Sequence, residues 1–188
     1  MEFWIVLAGA VALIAAVPFV RFLFKRLACC RRLKRVCRQR GYRFHTAHPF
    51  WLFGIRRAKH CELWIETADA IFAIKLFGVL RRRRMLVFGE DGRYFFRSFR
   101  AFFAHMGPLF YPMNSRPRRL AVDWCFCPDV LPARKKPLRR VLLLHPVAMQ
   151  TRWQAQRTGE RELLDGECLD GVSFCSLPRL LDELRMGK

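Results

Sequence analysis

The stretch Cys61–Phe77, CELWIETADAIFAIKLF, decides the fold class. Cys61–Thr67 and Ala70–Phe77 are rich in the β-branched and aromatic residues that suit a pleated, half-buried surface, and the short Ala68-Asp69 link between them predicts a hairpin. Met85–Gly89 and Arg93–Phe99 flank Glu90-Asp91-Gly92, where Asp-Gly supplies a second hairpin. Arg139–His145 carries the unbroken apolar run VLLLH, a pattern of strands buried in a sheet. Leu120–Cys127 predicts a further strand and Val172–Cys175 a last short one. Asn114–Arg119 and Asp129–Pro137, rich in Pro and Arg, read as loops, and Thr158–Asp170 as an acidic, Gly-containing excursion.

Helices frame these strands. From Lys25 to Arg40, Leu27, Cys30, Leu33 and Cys37 recur at spacings of three and four, with charges on the remaining surface and Gly41 placed as a C-cap. Ser176 caps a terminal helix, Leu177–Arg185, whose Leu180, Leu181 and Leu184 can pack inward. Ser98–His105, SFRAFFAH, predicts a short helix before Gly107-Pro108. The expected class is α+β: one mixed β-sheet domain with a basic helix before it and a short C-terminal helix, following an N-terminal transmembrane helix.

That last element rests on Phe3–Val20, a run without a charged side chain. Eighteen residues at about 1.5 Å each reach roughly 27 Å, near the thickness of a bilayer's hydrocarbon layer. A cleaved secretory signal would need basic residues before the run, where only Glu2 stands, and a buried helix is the remaining alternative. The expected division is an anchor over 1–24, a basic juxtamembrane helix over 25–40 and a cytoplasmic domain over 41–188. Between Lys25 and Arg40 there are eight Lys or Arg and no acid, which places the N-terminus outside a cell membrane and the rest inside.

The charge is unevenly spread. The chain of 188 residues has a net charge of +20, yet residues 21–140 hold 29 basic and 7 acidic side chains, against 6 and 7 over 141–188. With 53% hydrophobic residues the chain is too apolar for a disordered basic tail. Lys25, Arg26, Arg31, Arg32, Arg81, Arg82, Arg83 and Arg84 are the candidate contacts to lipid headgroups or phosphates. The expected partner is an anionic lipid surface, with a protein partner or nucleic acid as alternatives, and topology alone would also account for the charges.

Eight cysteines would suggest a disulfide framework in a secreted miniprotein, but a cytoplasmic placement predicts free thiols. Cys29 and Cys30 invite either acylation or a role as small apolar residues. Cys125-Phe126-Cys127 and His45-x-x-His48 lack the second pair that a zinc knuckle needs, so no metal site is expected. His60 and Cys61, adjacent on a strand, would point to opposite faces and could not form a nucleophile pair.

The order of helix, strands carrying Glu62 and Lys75, then VLLLHP and a final strand and helix ending SLPRLLDEL resembles the restriction-endonuclease-like fold, over roughly residues 25–186. More narrowly it resembles the nuclease-related domains of membrane-anchored bacterial proteins. The resemblance implies an acid on one strand and an acid-x-Lys on the next, binding a divalent metal beside the scissile phosphate. Glu62 or Glu66 would fill the first role and Lys75 the last, but position 73 is Ala. A Mg²⁺ ion would then lack hard oxygen ligands unless Glu66 or Asp69 substituted. Read as residues alone, Lys75 is an outward strand lysine and Glu62 and Glu66 lie on a solvent face. G-x-S-x-G, H-E-x-x-H and a Gly-rich phosphate loop are all missing. The functional expectation is therefore a non-enzymatic interaction module at an anionic membrane face, without a cofactor. The alternative is a degenerate or active metal-dependent nuclease-like domain, with Mg²⁺ implied only there.

Overall fold

The computed structural model describes residues 2–46, 61–78, 85–104, 107–120, 136–146, 150–155 and 159–187, with side chains described outside 2–15 and 98–114. Helix α1 (Glu2–Gln39) leads into β1 (Arg43–Thr46), β2 (Leu63–Glu66) and β3 (Ile71–Phe77). Next come β4 (Met85–Gly89), β5 (Arg93–Ala104), β6 (Gly107–Asn114) and β7 (Arg118–Arg119). They are followed by β8 (Leu138–Leu144), β9 (Gln150–Ala155), β10 (Gly159–Glu162), β11 (Glu167–Leu169), β12 (Val172–Ser176) and α2 (Leu177–Met186).

The strands form two sheets. The first has the order β1-β2-β3-β8-β12-β11, in which β3, β8 and β12 run parallel and the outer strands antiparallel. The second has the order β10-β9-β4-β5-β6, with β7 also on β5. A parallel pair needs a crossover, and here each crossover supplies strands to the other sheet. The path from β3 to β8 contributes β4 to β7; the path from β8 to β12 contributes β9 and β10, so that β4 and β9 also pair in parallel.

Burial explains the layering. Leu63, Ile65, Phe72, Ile74, Leu76, Val141 and Leu143 pack with Cys29, Cys30, Leu33, Val36 and Cys37 of α1 and with Leu177, Leu180 and Leu184 of α2. On the opposite face, Leu142, Leu144 and Phe174 pack with Leu86, Phe88 and Trp153 of the second sheet. Helices, first sheet and second sheet thus make three layers, and β3 and the apolar Val141–Leu144 part of β8 sit in the middle one. Gly78 ends β3 where a Cβ would overlap the carbonyl oxygen of His145, so only glycine lets the two strand ends approach.

Much of the expected framework is present. Thr67 and Ala70 close the first hairpin through Thr67 N–H to the Ala70 carbonyl (3.0 Å), and Gly92, at φ 70°, turns the second. Ser176 Oγ accepts from Arg179 N–H at the start of α2. At the end of α1, Tyr42 N–H donates to the Cys37 carbonyl (2.8 Å) beyond Gly41, at φ 69°.

Three expectations are corrected. There are two sheets rather than one, because one sheet could not cover both faces of its own central strands. Ser98–Ala104 is extended, not helical: β5 pairs with β6 from Arg97↔Asn114 to Ala104↔Gly107, and a long antiparallel ladder outweighs a short amphipathic pattern. No transmembrane helix is found: α1 over 16–39 is not apolar enough to cross a membrane, and no helix among the described residues is. The apolar run continues without a break into a basic segment whose inner face is used on the sheet, and the membrane orientation drawn from it loses its span. The strand expected over Leu120–Cys127 lies, apart from Leu120, outside the described residues.

Leu143→Ala should lower unfolding free energy by about 2–5 kcal/mol, because a fully buried side chain leaves a cavity between sheet and helices. Ser176→Ala, which removes only a cap, should cost about 1 kcal/mol. Urea denaturation of both variants checks the order.

Candidate functional site

Apart from Glu66, the candidate charged residues among the described ones fall into two separate places. The first is the C-terminal end of β3, where α1 crosses it. Glu62 precedes β2, its N–H bonded to the Ile74 carbonyl (3.1 Å), which sets it across from Lys75 near the end of β3. Lys75 Nζ lies 3.6 Å from Glu62 Oε1 and Arg26 Nη2 lies 3.5 Å from the same oxygen. Glu62 Oε2 accepts from Leu76 N–H at 2.5 Å, and Arg26 donates to the Leu76 carbonyl at 2.6 Å. All three side chains are buried, contrary to a solvent-facing Glu62 and Lys75. Alternation along a strand marks a solvent face only when that face is open, and here the helix layer and the second sheet close both.

The electrostatics follow from that burial. Desolvation raises the Glu62 carboxyl above its ordinary range, offset in part by Lys75, Arg26 and the Leu76 N–H. One carboxylate faces two cations where β3 ends. His145, just after β8, donates from Nε2 to the Lys25 carbonyl (3.2 Å) on the same helix. Its imidazole is held below 6.5 first by burial, and further by Arg32, Lys25 and Arg26.

Glu66 is elsewhere. It sits at the other end of β2, opposite Ile71, with Lys136 Nζ at 3.1 Å and Arg43 at 4.0 Å. The carboxylates that would share a metal are therefore separated by the length of β2, and Ala73 adds none between them. Among the described residues no group of three or more His, Cys, Asp or Glu could hold a metal ion. His48, His60, Cys125 and Cys127 lie outside the described residues, as do Arg81, Arg82, Arg83 and Arg84.

The second place is the outer side of α1. Lys25, Arg31, Arg32, Lys34, Arg35 and Arg38 are exposed there, joined by Arg21 before and Arg40 after, while no acid occurs between residues 16 and 39. Arg26, grouped with them by sequence, points inward instead, its guanidinium also 5.3 Å from the Phe22 ring. One turn earlier Val17, Phe19, Val20 and Phe24 are exposed, Phe24 by 67%. Cys29 and Cys30 face the sheet, their thiols pushed up by burial to about 12 and about 11, which leaves them protonated and inaccessible to acylation in the folded chain. Sequence spacing separates the two sides of this helix well; His145 carried no local signal, since its partners are 120 positions away.

No family model, curated protein or solved structure matches the chain.

Glu62→Ala should destabilise the fold by about 3–5 kcal/mol, because it removes the carboxylate that faces two buried cations. Lys75→Met should cost clearly less, since Arg26 still neutralises Glu62; chemical denaturation at pH 7 compares them. The depressed His145 pKa means that the unfolded chain binds a proton first as pH falls. Its contribution is intact above pH 6.5 and lost as pH drops through 6.5 toward the lower folded value. His145→Gln should flatten that limb of the stability profile, measured by urea midpoints across the pH range.

Proposed function

We propose that the chain is a non-enzymatic binding module that docks on an anionic lipid surface through the outer side of α1. The observation that carries this reading is the juxtaposition on one helix of exposed cations without an acid and, a turn away, exposed Val17, Phe19, Val20 and Phe24. Basic side chains near an anionic leaflet contribute on the order of 1 kcal/mol each, within a Debye length of about 8–10 Å. Apolar side chains beside them can enter the headgroup boundary without the helix spanning the bilayer. The helix lies in the plane of the surface in this mode, its inner side kept by the sheet.

Nucleic acid presents the same negative charge, but phosphates offer nothing to exposed valines and phenylalanines. A nuclease-like reading draws on Glu62 beside Lys75. The same geometry weakens it, because that carboxylate is engaged by two cations and one N–H, and its presumed companion Glu66 is occupied at the far end of the strand.

Binding of the full chain to phosphatidylserine-containing vesicles should weaken about 100-fold in the triple variant Arg31→Ser, Arg35→Ser, Arg38→Ser, at about 1 kcal/mol per charge. Phe24→Ser should weaken binding less and leave its salt dependence unchanged. Vesicle flotation across a salt series measures both; unchanged binding in the triple variant, or tighter binding to DNA or RNA than to vesicles at every salt concentration, contradicts the proposal.

A further inference from the structure

Along α1, Lys25, Ala28 and Arg32 follow spacings of three and four, which sets them in one row on the helix surface, and all three are exposed. His145, just after β8, sits against that row: its backbone N–H donates to the Phe77 carbonyl (2.8 Å) and its ring Nε2 to the Lys25 carbonyl (3.2 Å). A helical carbonyl is directed at the N–H four residues on, so the half-buried ring stands past Lys25, at the level of Ala28 and before Arg32. Ala28 contributes only a methyl group there. The row therefore leaves room between two long cationic side chains, with an imidazole at its edge.

The charges acting on that ring are of one sign: Arg32, Lys25 and Arg26, in a helix with no acid between residues 16 and 39. On the sheet side Glu62 meets Lys75 and Arg26, and the Arg26 guanidinium donates to the Leu76 carbonyl. Lys25 and Arg32 are the exposed cations of the group. Because a carbonyl only accepts, Nε2 carries the ring hydrogen and Nδ1 is the nitrogen that takes up a proton. Like charges oppose that proton, and an anion seated among them removes the opposition. We infer that Lys25, Arg32 and His145 form a binding site for a phosphate monoester group, seated over Ala28. Such a group carries about −1.5 to −2 charges near neutral pH and three acceptor oxygens, which matches two fixed cations and a third group that becomes one on binding. A carboxylate or a phosphodiester, with a single charge, matches it less well. The group can come from a lipid headgroup or from a free phosphate monoester, and the lipid source rests on the docking reading of α1.

Phosphatidylcholine vesicles containing phosphatidic acid or phosphatidylserine, matched in zeta potential, are the first probes of the full chain. The parent should prefer phosphatidic acid about tenfold, the worth of one charge-assisted hydrogen bond. Ala28→Leu keeps every charge and puts a good helix former at an exposed position, so it should fill the row and bring the two lipids to parity with the fold intact. Inorganic phosphate is the second probe, read by the ring resonances of His145 through a pH titration. Against chloride at equal ionic strength it should move the His145 midpoint upward in the parent and not in Ala28→Leu. A preference for phosphatidic acid that Ala28→Leu abolishes assigns a lipid headgroup. A phosphate effect without that preference assigns a free phosphate monoester, and if neither vesicle binds it removes the docking reading while the site stands. Binding of both vesicles without preference, together with an unmoved His145, leaves docking and overturns the site, as does a preference undiminished in Ala28→Leu.

Discussion

The fold depends on the need to cover both faces of β3 and β8. Ile71–Leu76 and Val141–Leu144 are buried side by side without an outward-facing polar series, so neither face of the sheet they form can meet water. Burial of apolar area, at roughly 25 cal/mol per Å², drives two further layers onto it. One is the pair of helices, the other a second sheet built from the crossovers themselves. The direction of α1 follows: Cys29, Cys30, Leu33, Val36 and Cys37 look inward together with Arg26, and the other basic residues between Lys25 and Arg38 are turned outward. A helix committed in this way presents its cations on one side, and the charge pattern that sequence reads as topology becomes a surface.

Within that closed core the charged residues had to be paired. Arg26, Glu62 and Lys75 meet where α1 crosses the end of β3, with the backbone of Leu76 supplying one donor and one acceptor. Such a group is poor evidence of stability, since its desolvation offsets its attraction, but breaking it is costly. It ties the helix to one register on the sheet, because no other residue of α1 reaches Glu62 with a cation in the described contacts.

The strands, both hairpins, the Ser176 cap and the inward face of α2 were legible because each is written in local residues: Asp-Gly at 91–92, alternation or continuous apolar runs, a hydroxyl before a leucine-rich turn. What was not legible depended on distant partners. Phe3–Val20 has the length of a span, yet length does not reveal that the same helix continues into a side that a sheet will cover. SFRAFFAH has helical spacing, yet β6 supplies a ladder that spacing cannot register. Glu62 and Lys75 alternate like surface residues, and only the second layer on their face makes them buried.

The decisive question is whether α1 belongs to the fold or stands apart from it. Hydrogen exchange of the full chain in aqueous buffer, without lipid or detergent, answers it. Amides of Cys29–Cys37 should exchange as slowly as those of β3 and β8, because the helix and the strands open together when the core opens. Rapid exchange across Cys29–Cys37 alongside protected strands would show that the helix does not cover the sheet, and would contradict the layered core on which the proposed docking surface rests.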